Sequence, residues 1–89
     1  MAWHIIRGAM SQFEKFKARI LADRTPKDIM FDELHTFMLK YGFALLASRG
    51  SHYVYKHPRL NANLTIPKHK PIKPVYIDLL KEKIIELEA

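Results

Sequence analysis

The hydrophobic repeat of this chain changes at Gly42, and that change most restricts what the chain can fold into. Before Gly42, apolar residues recur three or four positions apart, as they do on one face of a helix. After it, the runs Phe43–Arg49 and His52–His57 have the composition of short strands, and Gly50-Ser51 between them is a two-residue connection typical of a hairpin. The pattern predicts a domain in which an antiparallel sheet packs against helices.

Two helices are predicted before Gly42. The first covers residues 11–22, where Ser11 and Glu14 have the spacing of a capping box. The second begins near Ile29 or Phe31 and ends at Tyr41, and Thr25-Pro26 separates the two because proline cannot continue a helix from upstream. Their apolar stripes consist of Phe13, Phe16, Ile20 and Leu21 in the first helix and Phe31, Leu34, Met38 and Tyr41 in the second.

A third strand and a last helix complete the predicted fold. Residues 63–66 form the strand, residues 67–73 a stiff proline-rich loop, and Pro74 can occupy the first turn of the helix. The predicted class is α+β, a three-stranded antiparallel sheet with helices on one face and an additional N-terminal helix. Alternation along the second strand puts His52, Val54 and Lys56 on one side and Tyr53, Tyr55 and His57 on the other, and the sequence does not decide which side faces inward.

The middle of the chain carries an excess of positive charge. The whole sequence has 15 Lys and Arg against nine Asp and Glu, yet no carboxylate occurs between Leu34 and Ile77. That segment holds seven Lys or Arg residues and four of the five histidines. Such a field suits a polyanion, and nucleic acid is a common one, although an acidic protein partner or a solubilising surface would also fit the charge.

The composition excludes several classes of protein. The absence of cysteine removes disulfides, thiolate nucleophiles and zinc–thiolate sites. No apolar run approaches the roughly 20 residues that span a bilayer, and residues 1–10 are too short and too polar for a signal peptide. We therefore expect a cytoplasmic protein that is not anchored in a membrane.

His52 is the strongest candidate for a catalytic residue. Histidine titrates near neutral pH, and the Gly50-Ser51 turn would hold this one at a fixed point beside backbone amides. Cleavage of RNA needs a base for the 2′-OH proton, donors around the phosphate and an acid for the leaving oxygen, and a histidine among basic side chains meets part of that need without a metal. The alternative is an ordinary surface or hydrogen-bonded histidine, because the Gly-Ser-His triplet by itself is not specific.

Other histidines and tyrosines have ordinary structural explanations. His52, His57 and His69 lack a standard metal-ligand spacing, and no carboxylate lies nearby in sequence to complete a site for a hard ion, so we predict no metal and no cofactor. His57 is expected to be structural, and His69 is either a phosphate contact or a solvated loop residue. Three tyrosines could stack on bases, but we expect at least two of them to be half-buried instead: Tyr53, Tyr55 and Tyr76.

Five short motifs follow one another from the end of the second predicted helix to the start of the last one. They are Tyr41-Gly42-Phe43, Gly50-Ser51-His52, His57-Pro58, Thr65-Ile66-Pro67-Lys68-His69 and Lys73-Pro74. In this order they resemble the HicA toxin family, the ribonuclease half of the HicA–HicB toxin–antitoxin pairs, over about residues 29–86. The combined series is far more specific than the Gly-Ser-His triplet.

The resemblance implies a fold, an activity and a partner. The fold would be a small domain similar to the double-stranded-RNA-binding fold (dsRBD-like), with an α-β-β-β-α core in residues 29–89 preceded by an extension, residues 1–28, with one helix. The activity would be metal-independent cleavage of mRNA with His52 as the catalytic residue, and the partner a HicB-like antitoxin that covers the site. The residues expected to contact RNA are Arg49, Ser51, Lys56, Lys68, His69, Lys70 and Lys73.

Several alternatives stay open at this point. The extension could pack on the core, alter partner binding or occlude the site, and Met10-Ser11 is a plausible alternative beginning of the chain. The same basic surface would serve a module that binds RNA or the antitoxin without cutting. A DNA-binding domain ranks lower, because no helix concentrates the basic and amide side chains that suit the major groove.

Overall fold

The elements follow one another in the order predicted from the sequence. The structure is a computed structural model that describes residues 10–89, so the proposed alternative start at Met10 concerns residues 1–9, which lie outside the described part. The helices and strands are α1 (Gln12–Leu21), α2 (Phe31–Tyr41), β1 (Ala44–Arg49), β2 (His52–Lys56), β3 (Leu64–Pro67) and α3 (Pro74–Glu88). The predicted α+β class, with a three-stranded antiparallel sheet and a dsRBD-like arrangement, is confirmed.

The sheet has the order β1-β2-β3 and both strand pairs are antiparallel. Gly50-Ser51 forms the predicted two-residue turn and makes Arg49 the register partner of His52. Gly50 has φ of 56°, the positive value that a hairpin turn of this kind requires at its first central residue. The register of β1 shifts between Leu45 and Ala47, an irregularity of the bulge type near the middle of this edge strand.

The face of the sheet that carries the tyrosines is the buried one. Tyr53 lies with its ring 4.6 Å from that of Phe31 in α2, and Tyr55 is completely buried. Ile66 and Leu64 of β3 are their register partners and are also buried. Because this face packs under the helices, the side of β2 that carries Tyr53 and Tyr55 is the buried one. The sequence had left this choice open.

The ends of α1 and α2 follow from local chemistry. The Ser11 side chain accepts a hydrogen bond from the backbone N–H of Glu14 at 3.1 Å, as the capping-box spacing predicts. Gly42 ends α2 with φ of 120°, which disfavours any residue with a side chain. A β-carbon there would also lie 3.1 Å from Nε2 of His57, so the glycine lets β2 end close to the helix.

Helix α1 shares the hydrophobic core with the other helices. Ile20 is 1% exposed and belongs to the same cluster as the buried residues of α2 and α3. The rings of Phe13 and Phe16 lie 4.9 Å and 5.1 Å from the ring of Phe37 in α2. Of the three roles considered for the extension, packing on the core is the one observed, and it places α1 in the helical layer.

Glu88 ties the end of α3 to the other two helices. One of its carboxylate oxygens lies 2.6 Å from Nζ of Lys17 in α1 and accepts a hydrogen bond of 2.5 Å from the hydroxyl of Tyr41. The hydrogen bond from Lys17 is the largest influence that lowers the pKa of Glu88. Burial, with the hydrogen bond to Glu88, raises the pKa of Tyr41, so this phenol stays protonated and keeps donating.

Replacing Ile20 by alanine tests whether α1 is an integral part of the fold. Removal of a fully buried isoleucine side chain should lower the free energy of unfolding by about 2–5 kcal/mol, through lost burial and a cavity. Ile85→Ala is the matched control because Ile85, also on a helix, is 54% exposed, and its effect should stay within about 0.5 kcal/mol. Urea unfolding measures both, and equal effects would show that α1 does not contribute to the core.

Candidate nucleic-acid interface

The open face of the sheet presents His52 to solvent. Because Tyr53 and Tyr55 point toward the helices, alternation turns His52, Val54 and Lys56 to the opposite face, which we call the outer face. His52 and Lys56 are exposed, whereas Val54 is half-buried. Arg49, the register partner of His52, lies beside it on the same face and is also exposed.

The backbone on both sides of His52 is held firmly. β2 is the central strand, so His52 pairs with Arg49 on one side and with Pro67 on the other. The ladder continues past β3, where the N–H of Lys68 donates to the carbonyl of Ser51 at 2.6 Å. The imidazole therefore projects from a point fixed by two neighbouring strands, as the Gly50-Ser51 turn predicts.

The lysines of the loop after β3 have different surroundings from the basic residues of the outer face. Nζ of Lys68 lies 5.5 Å from the centre of the Phe31 ring, so this side chain reaches back toward the start of α2. Lys68 and Lys70 line a small cavity of about 90 Å³ together with Asp32. The predicted RNA contacts thus divide into an outer-face group, Arg49, His52 and Lys56, and a loop group, Lys68 and Lys70, that lies near a carboxylate.

The remaining predicted contacts, Ser51, His69 and Lys73, lie in the hairpin turn and in the loop after β3. Ser51 belongs to the turn next to His52 and is exposed. His69 is exposed in the loop, and Lys73 is the exposed residue that immediately precedes α3. The loop itself is anchored, because Ile72 is completely buried and its N–H donates to the carbonyl of Ile29 at 2.8 Å. Lys56, in the outer-face group, lies at the other end of β2 from His52, about 13 Å away at about 3.3 Å per strand residue.

Charge is segregated between the two layers of the domain. All nine carboxylates belong to the three helices and to the connection between α1 and α2, where eight Lys and Arg residues balance them. The strands and their loops carry six Lys and Arg residues and no carboxylate. The positive potential inferred from the sequence is therefore a property of the sheet layer, the layer that contains the outer face and His52.

Two negative findings bear on the class of site. Within residues 10–89, no group of three or more His, Asp or Glu side chains is placed to hold a metal ion. No helix in that same range is long and apolar enough to cross a membrane.

His57 and the three tyrosines considered for base stacking have structural roles. Nδ1 of His57 accepts a hydrogen bond of 3.1 Å from the N–H of Arg59, and its ring lies edge-on to Phe43 at 5.1 Å, as expected for a structural histidine. Tyr53 and Tyr76 are half-buried and pack against the core. The prediction that at least two of the three tyrosines are half-buried is confirmed, and Tyr55 is completely buried, so none of these rings lies free on the outer face.

Sequence reasoning missed the contribution of His35. Nδ1 of this half-buried residue of α2 shares a hydrogen bond of 2.7 Å with the hydroxyl of Tyr55, which joins α2 to the central strand. Its position four residues after Phe31, next to the apolar stripe, could have indicated a contact with the core. In the structure the two rings stack with their centres 5.7 Å apart. His35 therefore supports the strand that carries His52 from the opposite side of the sheet.

The fold and the exposed histidine define a small α+β domain with a basic sheet layer. The sequence model of the family described as HicA toxin of bacterial toxin–antitoxin matches residues 31–82, which is more than half of the chain. The chain belongs to the HicA toxin family. The matched region begins at the first residue of α2 and includes the whole sheet, whereas α1 lies outside it. No curated protein and no solved structure matches the chain.

Replacing Tyr55 by phenylalanine should change how stability depends on alkaline pH. Burial raises the pKa of Tyr55 from 10.0 to about 12, so the unfolded chain loses this proton at a lower pH than the folded protein. The resulting stability is fully present below pH 10 and is lost as the pH rises toward about 12. Urea unfolding between those values should show a steeper loss for the parent than for Tyr55→Phe.

Tyr53→Phe is the matched control for that comparison, because it removes a hydroxyl from the same face of β2 and leaves Tyr55 in place. It should keep most of the alkaline loss of the parent, because burial is the larger cause of the raised pKa of Tyr55 and the charge of Tyr53 the smaller one. Parallel pH profiles for all three proteins would mean that Tyr55 does not hold its proton in the folded state.

Proposed function

We propose that this chain is the toxin of a toxin–antitoxin pair and acts in the cytoplasm as a metal-independent endoribonuclease that cleaves mRNA. His52 is the catalytic residue, and the phosphate backbone lies across Arg49 and Lys56 on the outer face and across the loop that carries Lys68, His69, Lys70 and Lys73. Ser51 contributes a hydroxyl and backbone groups at the turn. Membership of the HicA family supports the assignment as a toxin.

The observation that carries this proposal is the placement of His52. Its imidazole is exposed on the open face of the sheet, and the basic side chain next to it, Arg49, is positioned by strand register rather than by a loop. The His52 imidazole takes part in none of the side-chain hydrogen bonds within residues 10–89. A histidine buried beneath the helices would have had no access to a nucleotide.

The chemistry follows from a proton transfer at one ring nitrogen. Acting as a base, the imidazole takes the proton of the ribose 2′-OH while that oxygen attacks the adjacent phosphorus. The bond between phosphorus and the 5′ oxygen then breaks, which leaves a 2′,3′-cyclic phosphate on one fragment and a 5′-OH on the other once the leaving oxygen is protonated. The Arg49 guanidinium stabilises the added negative charge on the phosphate oxygens in the transition state.

The proposed partner is a HicB-like antitoxin that covers the outer face. Binding there would hide His52 and Arg49 together and so silence the toxin. The charge of the sheet layer favours a partner surface rich in Asp and Glu, because the strands and their loops contain no carboxylate of their own.

A second candidate function is a module of the same fold that binds RNA or the antitoxin without cutting. It is favoured by the position of the cavities: the one between α1 and α2 and the one beside Lys68 are both lined by residues other than His52. Incubation of purified protein with labelled RNA distinguishes the two functions. A binding module would bind the RNA and leave it intact, whereas a ribonuclease would produce fragments.

Replacing His52 by alanine should reduce RNA cleavage by about 10²–10⁴-fold, the usual contribution of a general acid or base. The free energy of unfolding should change by no more than about 0.5 kcal/mol, because the side chain is exposed. The measurement is the rate of fragment formation from labelled RNA in buffer containing EDTA.

His69→Ala is the matched control, since His69 is also an exposed histidine but lies among the loop cations Lys68 and Lys70. It should weaken RNA binding slightly and leave most of the cleavage. A His52→Ala protein that cleaves like the parent would remove His52 from the mechanism, and loss of parental activity in EDTA would indicate a metal-dependent reaction.

RNA binding should weaken with salt in proportion to the phosphates that the protein contacts. For single-stranded RNA held by about four cations, the logarithm of affinity should fall against the logarithm of salt concentration with a slope near −3. The double variant Arg49→Ala, Lys56→Ala should bring this slope to about −1.4, because each lost phosphate contact removes about 0.7.

The control for the salt titration is the double variant Lys15→Ala, Lys83→Ala, because it removes two cations from the helical layer. Filter binding over a series of salt concentrations measures each slope. A control variant that lowers the slope as much as the outer-face variant would contradict RNA binding at the sheet.

A further inference from the structure

The two edges of the sheet differ in how they are protected. β3, at one edge, is short and mostly buried, and it ends at Pro67, which has no N–H to offer a further strand. β1, at the other edge, has six residues, all of them exposed, and contains no proline. Charged side chains, proline, bulges and covering segments are the usual protection of an edge strand. β1 is therefore the edge of this sheet that can accept another strand.

The exposed surface of β1 is apolar and uncharged over most of its length. Residues 44–48 read Ala-Leu-Leu-Ala-Ser, and Arg49 at the end is the only charged residue of the strand. Leu45 is 40% exposed and Leu46 is 52% exposed. Adjacent leucines exposed on an edge strand mark a surface that folded proteins usually cover.

Leu46 has no partner within the sheet. The bulge between Leu45 and Ala47 leaves it without a register partner on β2, as is general for the extra residue of a bulge. A bulge can hinder further pairing by twisting the edge, but no charged side chain reinforces this one. The unpaired residue lies at the centre of the uncharged stretch, where the backbone of an added strand would meet it.

The helical layer leaves room at this edge. Leu45 faces inward, since its register partner is the buried Tyr55, and yet it stays 40% exposed, so α2 does not cover β1 as it covers β2. His35 of α2 bonds the hydroxyl of Tyr55, and Leu39, one helical turn further on, is 44% exposed. These contacts place Leu39, Leu45 and Leu46 on one side of the domain, and we call them the β1 edge patch.

Charge favours a second copy of this chain as the occupant of the β1 edge. An antiparallel pair of two β1 strands centred on Leu46 puts Ala44 opposite Ser48 and Leu46 opposite itself, so no charged side chains face each other. The two Arg49 residues would lie about 20 Å apart along the pair, at about 3.3 Å per strand residue. An acidic partner would find no cation in residues 44–48 to bind.

We propose that two copies of this chain pair through β1 in antiparallel orientation and join their sheets into one, with the β1 edge patches in contact. The twofold axis of such a pair is perpendicular to the sheet, so both outer faces and both His52 side chains lie on the same side. One strand pair with three leucines from each copy is a small interface, and we expect a dimer that dissociates on dilution. The pairing does not depend on the proposed ribonuclease activity.

The mass of the full chain in solution tests the proposal. Light scattering after size-exclusion chromatography should show the mass rising from 10.5 kDa toward twice that value between micromolar and submillimolar concentrations. Leu46→Lys should keep the mass of one chain throughout, because it places like charges directly opposite each other at the centre of the pair. Its circular dichroism should match that of the parent, since Leu46 is exposed.

Ile85→Lys is the matched control, because it adds the same charge at an exposed isoleucine of α3. It should keep the concentration dependence of the parent. A parent with the mass of one chain at every concentration would overturn the proposal and leave the β1 edge to a strand of another protein. A dimer that Leu46→Lys does not dissociate would overturn it too, because the copies would then meet elsewhere.

A single cysteine tests the position of the pairing. The chain contains no cysteine, and residues directly opposite each other in an antiparallel pair have Cα atoms about 4.5–5.5 Å apart, a separation that a disulfide can bridge. Leu46→Cys should therefore form a disulfide-linked dimer under mild oxidation, much faster than Ile85→Cys at the same concentration. Equal rates for the two variants would contradict pairing centred on Leu46.

Discussion

Burial of one face of the sheet is the constraint on which the rest of the structure depends. Tyr55, Leu64 and Ile66 are 2% exposed or less, and each buried side chain of this size contributes about 1.5–3 kcal/mol relative to exposure. Side chains alternate along a strand, so fixing these residues inward also fixes the direction of His52. A slip of one residue would exchange the two faces and put the imidazole under the helices.

The two layers of the domain offer two different surfaces. The helical layer is close to electrically neutral, and its open surface is an apolar groove bordered by charges of both signs. The sheet layer carries only positive side chains, and its open surface holds an exposed histidine. Charge separated in this way lets the sheet attract a polyanion, because the carboxylates that would repel it belong to the helical layer. Asp32, at the start of α2, is the carboxylate that lines a cavity with Lys68 and Lys70.

The elements themselves could be predicted because their signals are local. The Ser11–Glu14 spacing, the change of hydrophobic repeat at Gly42 and the Gly50-Ser51 turn each depend on a few neighbouring residues. The structure has a helix cap, a helix end and a hairpin turn at these three places. The groove between α1 and α2 had no such signal. The groove depends on how the aromatic rings of α1 pack against those of α2. The hydrophobic repeat shows that each helix has an apolar stripe, but it does not show how much of one stripe the other helix covers.

The site was predictable in its parts but not in its arrangement. The sequence identified His52 and its basic neighbours, yet it described Arg49, Lys56 and Lys68 as one set. The structure turns Lys68 toward Phe31 and leaves Arg49 and Lys56 on the outer face. Backbone pairing beyond the end of β3 and the position of α2 decide that direction, and both arise from contacts between residues far apart in the chain.

The amino acids alone show the order of helices and strands, the lack of carboxylates in the middle of the chain, and the histidine at the hairpin turn. These are properties of composition and of near neighbours, which need no tertiary contact to be read. Only the tertiary structure decided which face of β2 is open. Tyrosine and histidine occur on one side, and histidine, valine and lysine on the other, so neither side is clearly apolar until α2 covers one of them.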